Sequence, residues 1–206
     1  MHVELIAAQL PGRESRLREA PVTDAKALAA ALRVAIAPHA DRPFAFFGHS
    51  MGALLALELA HALRAAGAPQ PGRLIVSGCS APHVPGALKL DAALTDAQLL
   101  DAVRELQGTP QEVLDHPEMS SLLLPVLRAD LALCASYAAD SRPPLECPVF
   151  AYGGREDEVE PEGLLEWQRY TTRPLSVRMF PGGHFFIQSS VSRVLMQLAG
   201  DLERGL

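Results

Sequence analysis

Residues 46–56, FFGHSMGALLA, set Gly48-His49-Ser50-Met51-Gly52 between a short apolar run and an alanine- and leucine-rich segment. The run reads as a strand and the segment as a helix, so the pentapeptide is a strand-to-helix turn of the form G-x-S-x-G. Such a turn is tight. Side chains flanking the serine would meet neighbouring backbone, and the serine is held at strained dihedrals. The turn projects the Ser50 hydroxyl from the end of a sheet. It also aims the N-terminus of the next helix at that point, which makes the Met51 backbone N–H available to an oxyanion. Ser50 is therefore the candidate nucleophile; the alternative is a small-residue junction with no chemistry.

A serine hydroxyl is a poor nucleophile until a base takes its proton. Of the seven histidines, His184 is the best placed, in Phe180-Pro181-Gly182-Gly183-His184-Phe185-Phe186, between the last predicted strand and the last predicted helix. His49 adjoins the serine, but its side chain leaves the turn in another direction and reads as a local packing or hydrogen-bonding residue. A base needs a carboxylate to fix its tautomer. Gly153-Gly154-Arg155-Glu156-Asp157-Glu158-Val159 offers Asp157, with Glu156 and Glu158 as neighbours able to take the role. The chain order Ser50, Asp157, His184 is that of an α/β-hydrolase.

Outward from this turn, near-continuous apolar runs at 3–9, 44–48, 73–79, 147–154 and 176–182 predict strands of a mostly parallel sheet covered on both faces. Helical patterns fall at 23–37, 51–66, about 95–140, 161–171 and 189–204. Thr23 or Asp24 caps the first, and Gly67 ends the second. Alternation of strand and helix gives a layered α/β fold with right-handed crossovers. The stretch between the third and fourth strands is too long for one crossover helix. Helix starts at Thr95-Asp96 and Thr109-Pro110, with breaks or kinks at Pro117 and Pro125, predict several short helices forming a lid over the strand ends. We expect one domain over 1–206 with a lid insertion at about 85–140. Leu122, Leu123, Leu124, Leu127 and Leu131 are candidates to line a pocket under that lid, with lid-to-core packing as the equal alternative.

Composition excludes several function classes. Hydrophobic residues make up 49% and charged residues 20%, which are globular values. A net charge of −6, with Lys26 and Lys89 as the only lysines, argues against nucleic acid. Cys79, Cys134 and Cys147 are odd in number and widely spaced, which fits neither a disulfide framework nor a zinc site. No basic segment followed by a long apolar one opens the chain, and Glu58 and His61 interrupt the longest apolar candidate for a membrane span. A cytoplasmic protein is expected.

The chain resembles the stand-alone type II thioesterases that serve polyketide and nonribosomal peptide synthetases. The resemblance is carried by AAQLPGRESRL (7–17), FGHSMGALLALELA (47–60), SGCSAPH (77–83), LRADLALCASY (127–137), YGGREDEV (152–159) and FPGGHFF (180–186). It implies an α/β-hydrolase fold with a helical lid, and a triad of Ser50, Asp157 and His184. The implied activity is hydrolysis of acyl thioesters on the phosphopantetheine arm of carrier domains, with no metal or redox cofactor and no membrane partner, by a protein expected to act as a monomer. Arg13 in LPGRE reads instead as a structural ion-pair residue. The family pattern also implies an N-terminal strand and a His/Ala/Gly turn that supplies the second oxyanion N–H. That strand lies between those equivalent to 3–9 and 44–48, and the 206 residues begin after it. A late start or a truncation is the favoured account, with a degraded, noncatalytic carrier-binding paralogue as the other. Losing one oxyanion donor costs about 10²–10³ in kcat, so these residues alone are expected to be unstable or nearly inactive. The competing enzyme reading is a general carboxylesterase acting on small esters with the same triad.

Overall fold

The computed structural model describes residues 3–85, 94–139 and 141–203. Four strands, β1 (Ala45–His49), β2 (Arg73–Ser77), β3 (Val149–Gly154) and β4 (Ser176–Phe180), pair in parallel in the order β1-β2-β3-β4. The register places His49 opposite Ser77, Ser77 opposite Tyr152 and Gly154 opposite Phe180. All four C-terminal ends therefore lie along one edge, where an α/β sheet places its ligands.

Residues along each central strand alternate between two apolar layers, which is why the runs carry no polar period. Leu74, Val76, Val149 and Ala151 pack against Ala53, Leu54 and Leu57 of α2 (Met51–Ala65), and against Leu164 of α6 (Pro161–Leu165) and the neighbouring Trp167. Ile75, Phe150, Tyr152 and Phe180 face the other way, onto Phe186 of α7 (Phe186–Ser189) and Val194 of α8 (Val191–Glu203). Each of the Val, Leu, Ile and Phe side chains among them, fully buried, contributes about 1.5–3 kcal/mol. Helix α1 (Ala25–Ile36) starts at Asp24, whose carboxylate accepts from Ala27 N–H at 2.6 Å, and packs outside α2 through Ala25, Leu28 and Leu55. Gly67, at φ +63°, follows the end of α2.

Between β2 and β3 run α3 (Asp96–Glu105), α4 (Gln111–Asp115) and α5 (Pro117–Ser136). Thr95 and Gln98 form a reciprocal capping box at the start of α3. Pro117 opens α5, where its missing N–H has no intrahelical acceptor to lose, and Pro125 sits inside α5 without ending it. Residues 86–93 and 140, which the expected lid included, lie outside the described residues, as do Lys89 and Arg204.

Two expectations need correction. Residues 3–9 form no strand and are exposed throughout. A strand needs a ladder partner, and among the described residues 3–9 pair with none; β1 is an edge strand of the sheet, with Phe47 41% exposed. Second, α5, at 20 residues, is long and apolar enough by length and composition alone to cross a bilayer, contrary to the reading that no stretch qualifies. Its apolar content has two local uses. Leu123, Leu124, Leu127 and Leu131 pack with Leu99, Val103 and Leu114 inside the insertion, and Leu133 packs with Ala25, Leu28 and Leu55.

Candidate active site

Ser50 joins β1 to α2 at φ 53°, ψ −122°, a left-handed conformation that a non-glycine residue rarely adopts. Its backbone N–H donates to the Ser77 carbonyl at 2.7 Å, which ties the turn to the end of β2. Gly48 is required by close approach, because a Cβ there would lie 2.0 Å from the Gly52 carbonyl oxygen. The second glycine of the motif is under no such constraint: a Cβ on Gly52 would meet nothing within 4 Å, so the expected crowding holds on one side of the serine only. Met51 is the first residue of α2, and helix geometry leaves the first N–H groups without intrahelical acceptors.

The loops after β3 and β4 interlock through backbone. Arg155 N–H donates to the Phe180 carbonyl at 2.8 Å and Glu156 N–H to the Gly182 carbonyl at 3.1 Å. Gly154 makes this possible, since a Cβ there would lie 2.5 Å from the carbonyl oxygens of Gly182 and Gly183. The result sets Asp157 against His184, with Nδ1 3.2 Å from Oδ1 and 3.1 Å from Oδ2. A carboxylate only accepts, so Nδ1 donates to it, which leaves Nε2 as the nitrogen that can exchange a proton with a substrate-side group. Burial works against the Asp157 charge. The hydrogen bond and charge of His184, with backbone N–H groups of Val159 and Glu158, outweigh it and hold the carboxyl below its usual range. The Asp157 side chain is 3% exposed, whereas Glu156 and Glu158 are exposed residues. Of the three acids in the loop, Asp157 is the one paired with the imidazole.

His184 lies beside the serine turn, its ring centroid 5.0 Å from that of His49. The structure thus gathers the Ser50 turn, His184 and Asp157 at one edge of the sheet. The other expected residues fall elsewhere. Arg13 pairs with Asp130 of α5 at 2.6 Å, the ion pair anticipated for LPGRE. Burial pushes the Asp130 carboxyl up, and Arg13 partly offsets that. The three cysteines are free, with burial pushing the Cys79 and Cys134 thiols up to about 12. Leu122 is 52% exposed. Among the described residues no group of three or more His, Cys, Asp or Glu is arranged to hold a metal ion.

Two features escaped the sequence reading. Ser77 and Gly78, inside SGCSAPH, abut the turn. Gly108, between α3 and α4, lies so close to Phe185 that a Cβ there would be 2.1 Å from its ring. A small residue at a strand end or helix break is the only sequence signal for either contact.

Comparison with known proteins identifies the family. The chain matches the Thioesterase domain family over residues 1–203. It is 43% identical over 189 residues to the gramicidin S biosynthesis protein GrsT of Aneurinibacillus migulanus, covering 91% of this chain and 74% of that protein. Its structure superposes on the thioesterase RedJ from the prodiginine biosynthetic pathway in Streptomyces coelicolor with a TM-score of 0.86 at 42% identity, covering 93% of this chain and 76% of RedJ. The type II thioesterase BorB from the borrelidin biosynthetic cluster gives a TM-score of 0.82 at 33% identity, covering 95% and 80%. By sequence along nearly its whole length, and by an α/β-hydrolase fold shared with these structures, the chain belongs to the thioesterase domain family.

Proposed function

We propose that this chain is a type II thioesterase with an editing role in polyketide or nonribosomal peptide biosynthesis. It removes acyl groups from the phosphopantetheine arm of carrier domains through Ser50, His184 and Asp157. The observation that carries the reading is the pairing of Asp157 with His184 Nδ1 beside a serine held at positive φ on a strand-to-helix turn. His184 Nε2 takes the Ser50 proton as Oγ attacks the thioester carbonyl, and Asp157 stabilises the imidazolium that forms. The Met51 N–H donates to the tetrahedral oxyanion; no second donor is assigned among the described residues. The C–S bond breaks as His184 returns the proton to the leaving thiol. His184 then activates water against the acyl-enzyme, releasing the carboxylic acid and restoring Ser50.

Every proton in this cycle moves between Ser50, His184, thiol and water, so the reaction calls for no metal or redox cofactor. In this reading α3–α5 act as the lid of a single domain spanning the chain. The protein works in the cytoplasm as a monomer on carrier domains, with neither nucleic acid nor membrane as partner.

The test is kcat/KM on acyl-carrier-protein thioesters against simple oxygen esters of the same acyl group. The thioesters should be preferred. A preference for the oxygen esters would make the protein a general carboxylesterase, and turnover of neither by a folded full-length protein would support a noncatalytic carrier-binding role.

A further inference from the structure

His49 sits one residue before Ser50, and the proposed reaction gives it no chemistry. Its surroundings are nonetheless specific. Nδ1 lies 3.0 Å from Ser77 Oγ. The ring is flanked by those of His184, Phe185 and Phe186, at centroid distances of 5.0, 5.4 and 5.8 Å. Gly78, at φ +58°, adjoins both imidazoles: a Cβ there would come within 2.7 Å of His49 Cε1 and 3.4 Å of His184 Cε1. Ser77 therefore serves twice. Its carbonyl holds the Ser50 backbone, and its hydroxyl holds the ring that lies against His184.

The protonation state of His49 follows from its other nitrogen. Nε2 is buried and has no hydrogen-bond partner. A buried N–H left unpaired is costlier than an under-used acceptor, so the proton belongs on Nδ1, donated to Ser77 Oγ. Adding a second proton would create that unpaired donor. Burial first, and then the neighbouring His184 charge, push His49 down to about 4 against the attraction of Asp157. With Nδ1 held by Ser77 and Nε2 buried without a partner, the ring stands as a fixed wall against His184.

We propose that His49 is a positioning residue, a neutral imidazole pinned by the Ser77 hydroxyl whose ring holds His184 in the orientation that receives the Ser50 proton. The proposal rests on the reading of Ser50 and His184 as nucleophile and base.

The test measures kcat and KM of the full-length protein on an acyl-N-acetylcysteamine thioester for His49→Ala, His49→Phe, Ser77→Ala and the double variant His49→Phe/Ser77→Ala. Circular dichroism checks that each is folded. Misplacing a reacting group by about 1 Å costs roughly 100-fold, so His49→Ala should lower kcat about 10–100-fold with KM changed less than about twofold. His49→Phe keeps a ring against His184 and should recover part of the loss. Because Ser77 acts through Nδ1, Ser77→Ala should lower kcat alone yet add nothing in the His49→Phe background. Nitrogen-15 NMR at neutral pH should show His49 protonated on Nδ1 only. Folded His49→Ala and His49→Phe proteins with unchanged kcat, additive Ser77 and His49 effects, or a proton on Nε2 would each overturn the proposal. His184→Ala separates the two layers. If it keeps full activity, the underlying reading fails; if it is inactive while the His49 variants turn over normally, only the positioning role fails.

Discussion

At the C-terminal ends of the strands, backbone meets backbone. Gly48 faces Gly52, Gly154 faces Gly182 and Gly183, and Ser50 N–H reaches the Ser77 carbonyl, all without an intervening side chain. The helical insertion α3–α5 is built the other way. It has a small core of its own around Leu99, Val103, Leu114 and Leu131, and it is fastened through side chains: Arg13 to Asp130, and Tyr137 and Arg142 to Glu58. The first region leaves no room for a Cβ at Gly48 or Gly154, although Gly52 would accept one. The second fixes a body of helices at a few points near the end of α5.

The comparison breaks most readily at Glu58. This carboxylate on α2 is 2% exposed and accepts from Tyr137 Oη at 2.6 Å and from both terminal nitrogens of Arg142. Glu58→Ala removes the acceptor that Tyr137 and Arg142 share, and because the Arg142 side chain is 27% exposed the cost should lie near the lower end, about 3 kcal/mol, of breaking a buried pair. Urea unfolding should show that loss, with the Ser50 turn intact in whatever folds. A loss below about 1 kcal/mol, the range of exposed pairs, would mean that the end of α5 is not anchored there.

Acid should sharpen the contrast from the other side. His49 is held at about 4 when folded against an ordinary 6.5, so the unfolded chain takes up that proton first. Stability present at pH 7 is then lost as pH falls from about 6.5 toward 4, by at most about 3 kcal/mol. Asp157, held below its usual range, loses its contribution in a lower window, as pH falls below the unfolded carboxylate value. Unfolding free energy against pH should show both, and His49→Phe should remove the upper window alone.

Gly154→Ala probes the backbone contact directly. Crowding of this kind costs about 1–3 kcal/mol, and because it pushes on the carbonyls that place His184, kcat should fall along with the melting temperature. The smallest effect is expected at the rim of the insertion. Arg128, partly exposed, pairs with the exposed Asp96 at 2.6 Å, and Asp96→Ala should cost no more than about 1 kcal/mol and leave kcat/KM unchanged.

The same contrast explains what the sequence disclosed. Ser50 and His184 each sit in a contiguous stretch where glycines, strand and helix occur at fixed spacing, so each could be singled out locally, whereas the acidic loop left Asp157 beside Glu156 and Glu158 until its contact with His184 set it apart. The two-faced burial of β2 and β3 was legible because both layers need apolar residues. Residues 3–9 look as much like a strand as 73–77 do, but pairing is a property of neighbours rather than of the run itself, and among the described residues 3–9 join no ladder. Glu58 read as an interruption in an apolar helix; its role depends on Tyr137 and Arg142, 79 and 84 positions away. Ser77 and Gly78 matter because β1, β2 and the loop after β4 converge there, which no local spacing encodes.

The account stands or falls on Ser50 as a nucleophile activated by His184. Treating the full-length protein with a fluorophosphonate and locating the adduct by peptide mass spectrometry tests it directly. The adduct should lie on Ser50, be absent in Ser50→Ala, and form at least about 10³-fold more slowly in His184→Ala, as expected when one member of such a unit is removed. An adduct elsewhere, or equal labelling of the folded His184→Ala protein, would contradict the account.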